Sequence, residues 1–158
     1  MVSSPSRARV TARLAQLRDR YGGFDVRQTT VSVHSEEYEA NRDSAGEVLA
    51  DVRVRNDAGE LLSVEGESGW QAPMVSVGAG EPLVETVEHG VERLTGVRAR
   101  VQELDCVAIV CVHDADDPDR DALYQLHARF DAAYDAGVPR SEGAAWRAES
   151  RPETALSF

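Results

Sequence analysis

Residues 97–115, "VRARVQELDCVAIVCVHDA", constrain the fold of this chain more than any other stretch. From Val107 to Val112 every position is apolar. A strand that is apolar on both faces must be covered on both, so it belongs in the interior of a sheet. The run is far too short to cross a bilayer. The stretch that follows, "ALYQLHARFDAAY" (122–134), alternates. Tyr124, Leu126, Ala128 and Phe130 fall on one side, and Gln125, His127, Arg129 and Asp131 on the other. That period predicts a second strand, antiparallel to the first. "FDVRQTTVSVHS" (24–35) is a further strand by the same criterion. "EVLADVRVR" and "ELLSVEGE" flank "NDAG" (56–59), a hairpin signal with Gly59 available for a positive φ. "EGAAWRAE" (142–149) is a weaker final strand.

Helical periodicity appears in two places. Val10, Leu14, Leu17 and Tyr21 recur at helical spacing over 5–21, and Gly22 and Gly23 end that helix. Residues 36–46 form a short helix or loop. Over 82–95, Pro82 stands at the first helical position and Gly96 where the chain leaves the helix. Leu83, Val84, Val87, Val91 and Leu94 gather within roughly a third of the circle, at about 100° per residue. That arc is the core face, and Leu94 is expected to be buried there with Val87 and Val91. The order of elements predicts an α/β (α+β) chain, a mixed sheet with helices packed on it. A length of 158 residues suits one domain. Residues 1–45 are read as an N-terminal helix and strand extension of a domain spanning 46–158, the two forming one compact unit.

The net charge is −11, and all 17 basic side chains are Arg. Acid excess, the absence of Lys, a single Ile and plentiful Ala, Val and Asp resemble the proteins of extreme halophiles. Self-repulsion of this kind weakens with salt. The acidic run "HDADDPDRD" (113–121) is read as a solvated surface. An acidic chain is unsuited to nucleic acid, whose binding rests on neutralising phosphates. The N-terminus, "MVSSPSRARV", has no apolar signal core, so a cytoplasmic location without membrane attachment is expected. Cys106 and Cys111, five apart on a strand, point to opposite faces and cannot pair. His34, His89, His113 and His127 show no ligand spacing and are read as structural or surface residues.

The stretch 70–97 resembles a Nudix box with its lead-in. Trp70, Pro73, Gly80, Glu81, Leu83, Val91, Gly96 and Val97 stand in the register of that pattern. The resemblance extends to the hairpin before the box and the strands after it. Glu142, Trp146 and "RPE" (151–153) resemble the family's last strand and the turn beyond it. The resemblance implies a Nudix-like mixed sheet sandwiched between helices. It also implies water attack on a nucleoside diphosphate linked to another group, assisted by Mg²⁺ or Mn²⁺ on helix glutamates. The chain departs from the pattern where that chemistry sits. Met74 and Val75 replace the two turn glycines, His89 the arginine, and Gly90, Arg93 and Leu94 the three glutamates.

Glu81, Glu85, Glu88 and Glu92 also share an arc of roughly 60°, but it lies roughly 160° from the mean of Gly90, Arg93 and Leu94. They are read as a solvated face. A guanidinium at Arg93 repels a divalent cation and suits phosphate oxygens instead. Arg93, His89, Arg53 and Arg55 are therefore the candidate ligand-binding residues, with no metal site and no cofactor expected. The reading is a non-catalytic Nudix-fold protein that binds a nucleotide-like or phosphorylated small molecule, or a protein partner. The alternative is a divergent hydrolase with Mg²⁺ or Mn²⁺ on relocated ligands, Glu81 with Glu142 or acids of 114–121. No oligomeric state follows from the sequence.

Overall fold

An 18-residue strand, β6 (Val97–Asp114), is the spine of the molecule. The computed structural model of the chain describes residues 5–140 and 142–148. β6 runs between two partners: β1 (Asp25–Val33), parallel to it, and β7 (Leu123–Gly137), antiparallel. Three register shifts, after Arg98, Val101 and Leu104, interrupt the ladder with β7. Irregularities of this kind bend and twist a long strand. Beyond them, Val107, Ala108, Val110, Cys111 and Val112 are all buried. The strand with two apolar faces is thus interior to the sheet, as its composition requires.

Among the described residues the sheet has eight strands. β2 (Val48–Arg55) lies parallel to β7, with Val48 opposite Leu126. Its other edge is shared between two strands. β5 (Met74–Val77) pairs with the first half of β2, and β3 (Leu61–Gly66) meets it at Arg55 opposite Leu61. β3 then diverges to pair with β4 (Gly69–Gln71) and β8 (Ala144–Arg147). The expected hairpin is therefore real at its turn but short in its pairing. Asn56 Oδ1 accepts the N–H groups of Ala58 and Glu60, and Gly59 takes φ 78°. β4 and β5 have no alternating signature of their own, and both were missed by the reading of the sequence. "RPE" (151–153) lies outside the described residues.

Helices cover both faces. On the front face, α1 (Pro5–Tyr21) and α3 (Leu83–Thr95) bury Val10, Leu17, Val87 and Val91 against Val48, Ala50, Val52, Leu126, Ala128 and Phe130. The directly opposed pairs of β2 and β7 supply that surface, because alternate residues of paired strands share a face. On the back face, α2 (Ser35–Arg42) packs Tyr38 against Val110, Val112 and Leu123. The result is a mixed α+β fold with its sheet between helices. β1 joins the same sheet, and α1 the same core, as the strands after residue 46.

The acidic run 113–121 is not uniformly a solvated surface. Asp114 is buried, and accepts hydrogen bonds from Ser35 Oγ, the Asp116 N–H and Arg120 Nη1. Burial raises its carboxyl pKa, but these bonds outweigh it and hold the group below its usual range. Arg120 also reaches Glu39 and lies 4.8 Å over the Tyr38 ring. Asp114 therefore ties α2 to the end of β6, while Asp116, Asp117, Asp119 and Asp121 remain exposed.

Candidate functional site

α3 is the helix on which the candidate site turns. Val87 and Val91 are fully buried. Gly96, at φ 85°, closes the helix by donating its N–H to the Glu92 carbonyl. The third buried member of the core face is Thr95, not Leu94, which is 50% exposed. Residues 87, 91 and 95 follow one another at intervals of four and so stack on one face. Thr95 takes the interior position because its hydroxyl donates to the Val91 carbonyl and accepts the Val97 N–H. The apolar identity of Leu94 thus pointed to the wrong side of the helix. Leu94→Glu is expected to change stability by less than about 0.5 kcal/mol. Chemical denaturation checks this, and a loss several times larger would mean that Leu94 is packed in solution.

The glutamates of this region do not form the single solvated face expected of them. Glu81 precedes the helix and turns back, its Oε1 accepting the Gly78 N–H at 2.7 Å. Glu88 Oε2 accepts the Val101 N–H at 2.8 Å, beside a bulge of β6. Glu92 pairs with Arg98 at 3.2 Å. Glu85 alone of the four simply faces outward. Moreover, Glu81 and Glu85 border the same cleft as His89, Gly90 and Arg93, together with Val75, Ser76 and Thr86. Gly90 and Arg93 border this cleft and Leu94 does not, so the three do not share one direction. Glu85, His89 and Arg93 are four residues apart in turn and form one stripe.

The floor of this cleft, about 510 Å³ in volume, is made by Val75 and Gly90. A Cβ placed on Gly90 would lie 2.5 and 2.8 Å from the two methyl carbons of Val75 and 3.2 Å from its Cβ. Val75 faces α3 because its partner in β2 is Ala50, on the front of the sheet. Val75 and Gly90 are therefore coupled by one contact: the valine fills the space that a side chain at position 90 would need. The mid-helix glycine, costly by about 1 kcal/mol against Ala in an open helix, is required by this contact.

Mg²⁺ and Mn²⁺ need several hard oxygen donors converging on one point. Gly90 offers no side chain and no room for one, Arg93 offers a cation, and Leu94 an exposed hydrocarbon. Among the described residues no group of three or more His, Cys, Asp or Glu side chains is placed to hold a metal ion. Glu142, exposed in the turn before β8, and the acids of 114–121 border neither this cleft nor the adjoining one on α1. The relocated ligand set is therefore not brought together, and the residues present do not fit the metal.

Of the four candidate ligand-binding residues, His89 and Arg93 share the cleft, and Arg53 and Arg55 do not. Arg53 is only 13% exposed, on the back of the sheet, where its Nη2 pairs with Asp131 at 3.0 Å and Asp105 at 3.2 Å. The same polar back face holds Arg129 against Asp51. Arg55 is exposed at the far end of β2. The remaining histidines are dispersed. His34 meets Asp116, His113 approaches the Cys111 sulfur at 3.4 Å, and burial pushes the His127 imidazole below its ordinary pKa. Both cysteines are free.

A second, larger cleft of about 770 Å³ adjoins the first across Glu81 and Glu85. Sequence reasoning missed it. Its walls are α1, through Arg9, Arg13, Gln16 and Arg20, and the loop and first turn from Ala79 to Glu85. The signal that was available is the spacing of those four polar residues, which places them on one helix face.

Neither a family model nor a curated protein sequence matches the chain. Solved structures resemble it in part. A mutator MutT protein from Bacillus halodurans overlaps it at 18% identity, covering 65% of this chain and 68% of that one, with a TM-score of 0.49. A NUDIX hydrolase from Nitrosomonas europaea overlaps at 15% identity over 65% and 57% of the two chains, with a TM-score of 0.47. A UDP-X diphosphatase overlaps at 16% identity over 87% and 66%, again at 0.47. These are likenesses of fold over part of each chain.

Proposed function

We propose that this chain is a Nudix-fold protein whose cleft on α3 binds a nucleotide-like phosphorylated small molecule without a divalent metal and without hydrolysing it. The observation that carries this reading is the contact between Val75 and Gly90, which occupies the position of one metal ligand. Arg93 stands at a second such position and borders the cleft. A guanidinium presents several donors in a rigid fork that matches phosphate oxygens, and these short contacts survive in strong salt. His89, one turn back on the same stripe, adds a ring N–H. Glu85 and Thr86 supply an acceptor and a hydroxyl suited to the sugar and base of a nucleoside. Ser76 is already engaged, its hydroxyl donating to Glu47.

Calorimetric titration with ADP-ribose in molar salt tests the reading. Saturable binding that is indifferent to chelator and weakened at least tenfold by Arg93→Gln is expected, a loss of about 1.4 kcal/mol. Binding that requires Mg²⁺, or no binding at all, would overturn it.

A further inference from the structure

We propose that the larger cleft, between α1 and the start of α3, is a separate site for a phosphate-bearing anion held by Arg9 and Arg20. The proposal does not rest on the metal-free reading of the neighbouring cleft, because none of its arginines comes from the Nudix-like stretch.

α1 is the basic part of an acidic chain. It carries five arginines against one aspartate, in a protein of net charge −11. Arg9, Arg13, Gln16 and Arg20 recur at intervals of four, three and four, so they form one stripe, and that stripe lines the cleft. Arg42, Arg53, Arg98, Arg100, Arg120 and Arg129 are paired. Among the described residues no carboxylate lies within ion-pair distance of Arg9, Arg13 or Arg20.

The stripe is also positioned rather than loose. Arg13 Nη2 donates to the carbonyls of Gly78 and Glu81, each at 3.1 Å, and so fixes the facing loop to α1. The Arg9 stem lies against Gly46, where an added Cβ would meet its Cδ at 2.8 Å. Arg20 rests 5.7 Å over the Tyr21 ring. The opposite wall adds further donors. The first turn of α3 begins after Pro82 with no side-chain cap, which leaves the amides of Leu83, Val84 and Glu85 facing outward. Three carboxylates, those of Asp19, Glu81 and Glu85, also border the cleft and would oppose an anion; that of Glu81 is turned onto the Gly78 N–H. Leu17, Pro82, Leu83 and Val84 supply apolar surface beside these donors. Guanidinium groups and open amides beside an apolar wall suit a small organic phosphate. The volume of about 770 Å³ lies in the range of small-molecule sites.

The test is a titration of the full chain with inorganic pyrophosphate in molar salt, followed through backbone amide resonances. The amides of residues 80 and 83–85 are expected to shift in a saturable way. Arg9→Gln with Arg20→Gln should weaken that binding at least tenfold, and Arg27→Gln, exposed on β1 and bordering neither cleft, should change it less than twofold. Both arginines are exposed, so the doubly substituted chain should keep its melting temperature, which is checked in parallel. The proposal is overturned if those amides do not shift saturably, or if the double substitution leaves the curve unchanged. It is also overturned if Arg93→Gln alone abolishes the shifts, which would place the anion in the cleft on α3.

Discussion

Purified protein incubated with ADP-ribose and other nucleoside diphosphate derivatives, with Mg²⁺ or Mn²⁺ in molar salt, is expected to release no phosphate above the uncatalysed rate. In phosphoryl chemistry the protein contributes positioning and charge neutralisation, and a bound metal supplies several kcal/mol of the latter. Each 1.36 kcal/mol is about tenfold in rate. Loss of the metal therefore removes orders of magnitude, not a fraction. On the proposed reading that loss is built into the packing. One position that would carry a donor is filled by Val75, another is a cation, and the third is a leucine at the surface. Glu81, the acid the resemblance most strongly suggests, is held on the Gly78 N–H. Turnover that disappears with chelator and with Glu81→Gln would overturn this expectation.

Gly90→Ala is expected to destabilise the fold by about 1–3 kcal/mol, the range for overpacking a filled interior. The sign is the test. In an open helix the same change is favourable by about 1 kcal/mol, because glycine is the poorer helix former. Here the new methyl would meet both Val75 methyl carbons below 3 Å and the Val75 Cβ at 3.2 Å. Rotating a β-branched side chain does not move its Cβ, so a rotamer change cannot relieve the contact fully. In a Val75→Ala background both methyl obstacles are gone, and Gly90→Ala should become neutral or stabilising. Denaturant unfolding of the four proteins of this cycle gives the coupling directly. Additive effects would mean that the two residues do not touch. The same contact dictates the order in which a metal site could be rebuilt: Gly90→Glu with Arg93→Glu and Leu94→Glu can take effect only after Val75 is reduced.

Much of the architecture was legible because it is written in local patterns. The doubly apolar run in β6, the alternation of β7 and the periodicity of α1 and α3 each sit within one segment. Each dictates which faces must be covered. Gly22 and Gly96 end their helices with positive φ, as their positions imply. β4 and β5 were not legible, since strands of three and four residues leave no measurable period. The candidate cleft was legible only in part: His89 and Arg93 border it, whereas Arg53 lies elsewhere, paired with Asp105 on β6 and Asp131 on β7.

The sequence by itself determined the longer helices and strands, that β6 is interior, and that Gly90, Arg93 and Leu94 stand where the resemblance implies glutamates. These are properties of residue identity and short-range periodicity. The tertiary structure decided where the buried stripe of α3 ends, with Thr95 rather than Leu94 completing it, and that Val75 and Gly90 exclude each other's side chains. It also decided that α1 lays its arginines along the start of α3. The reason is that each of these depends on two segments far apart in the chain meeting at a particular distance. A period of two or 3.6 residues carries no record of what lies across the gap.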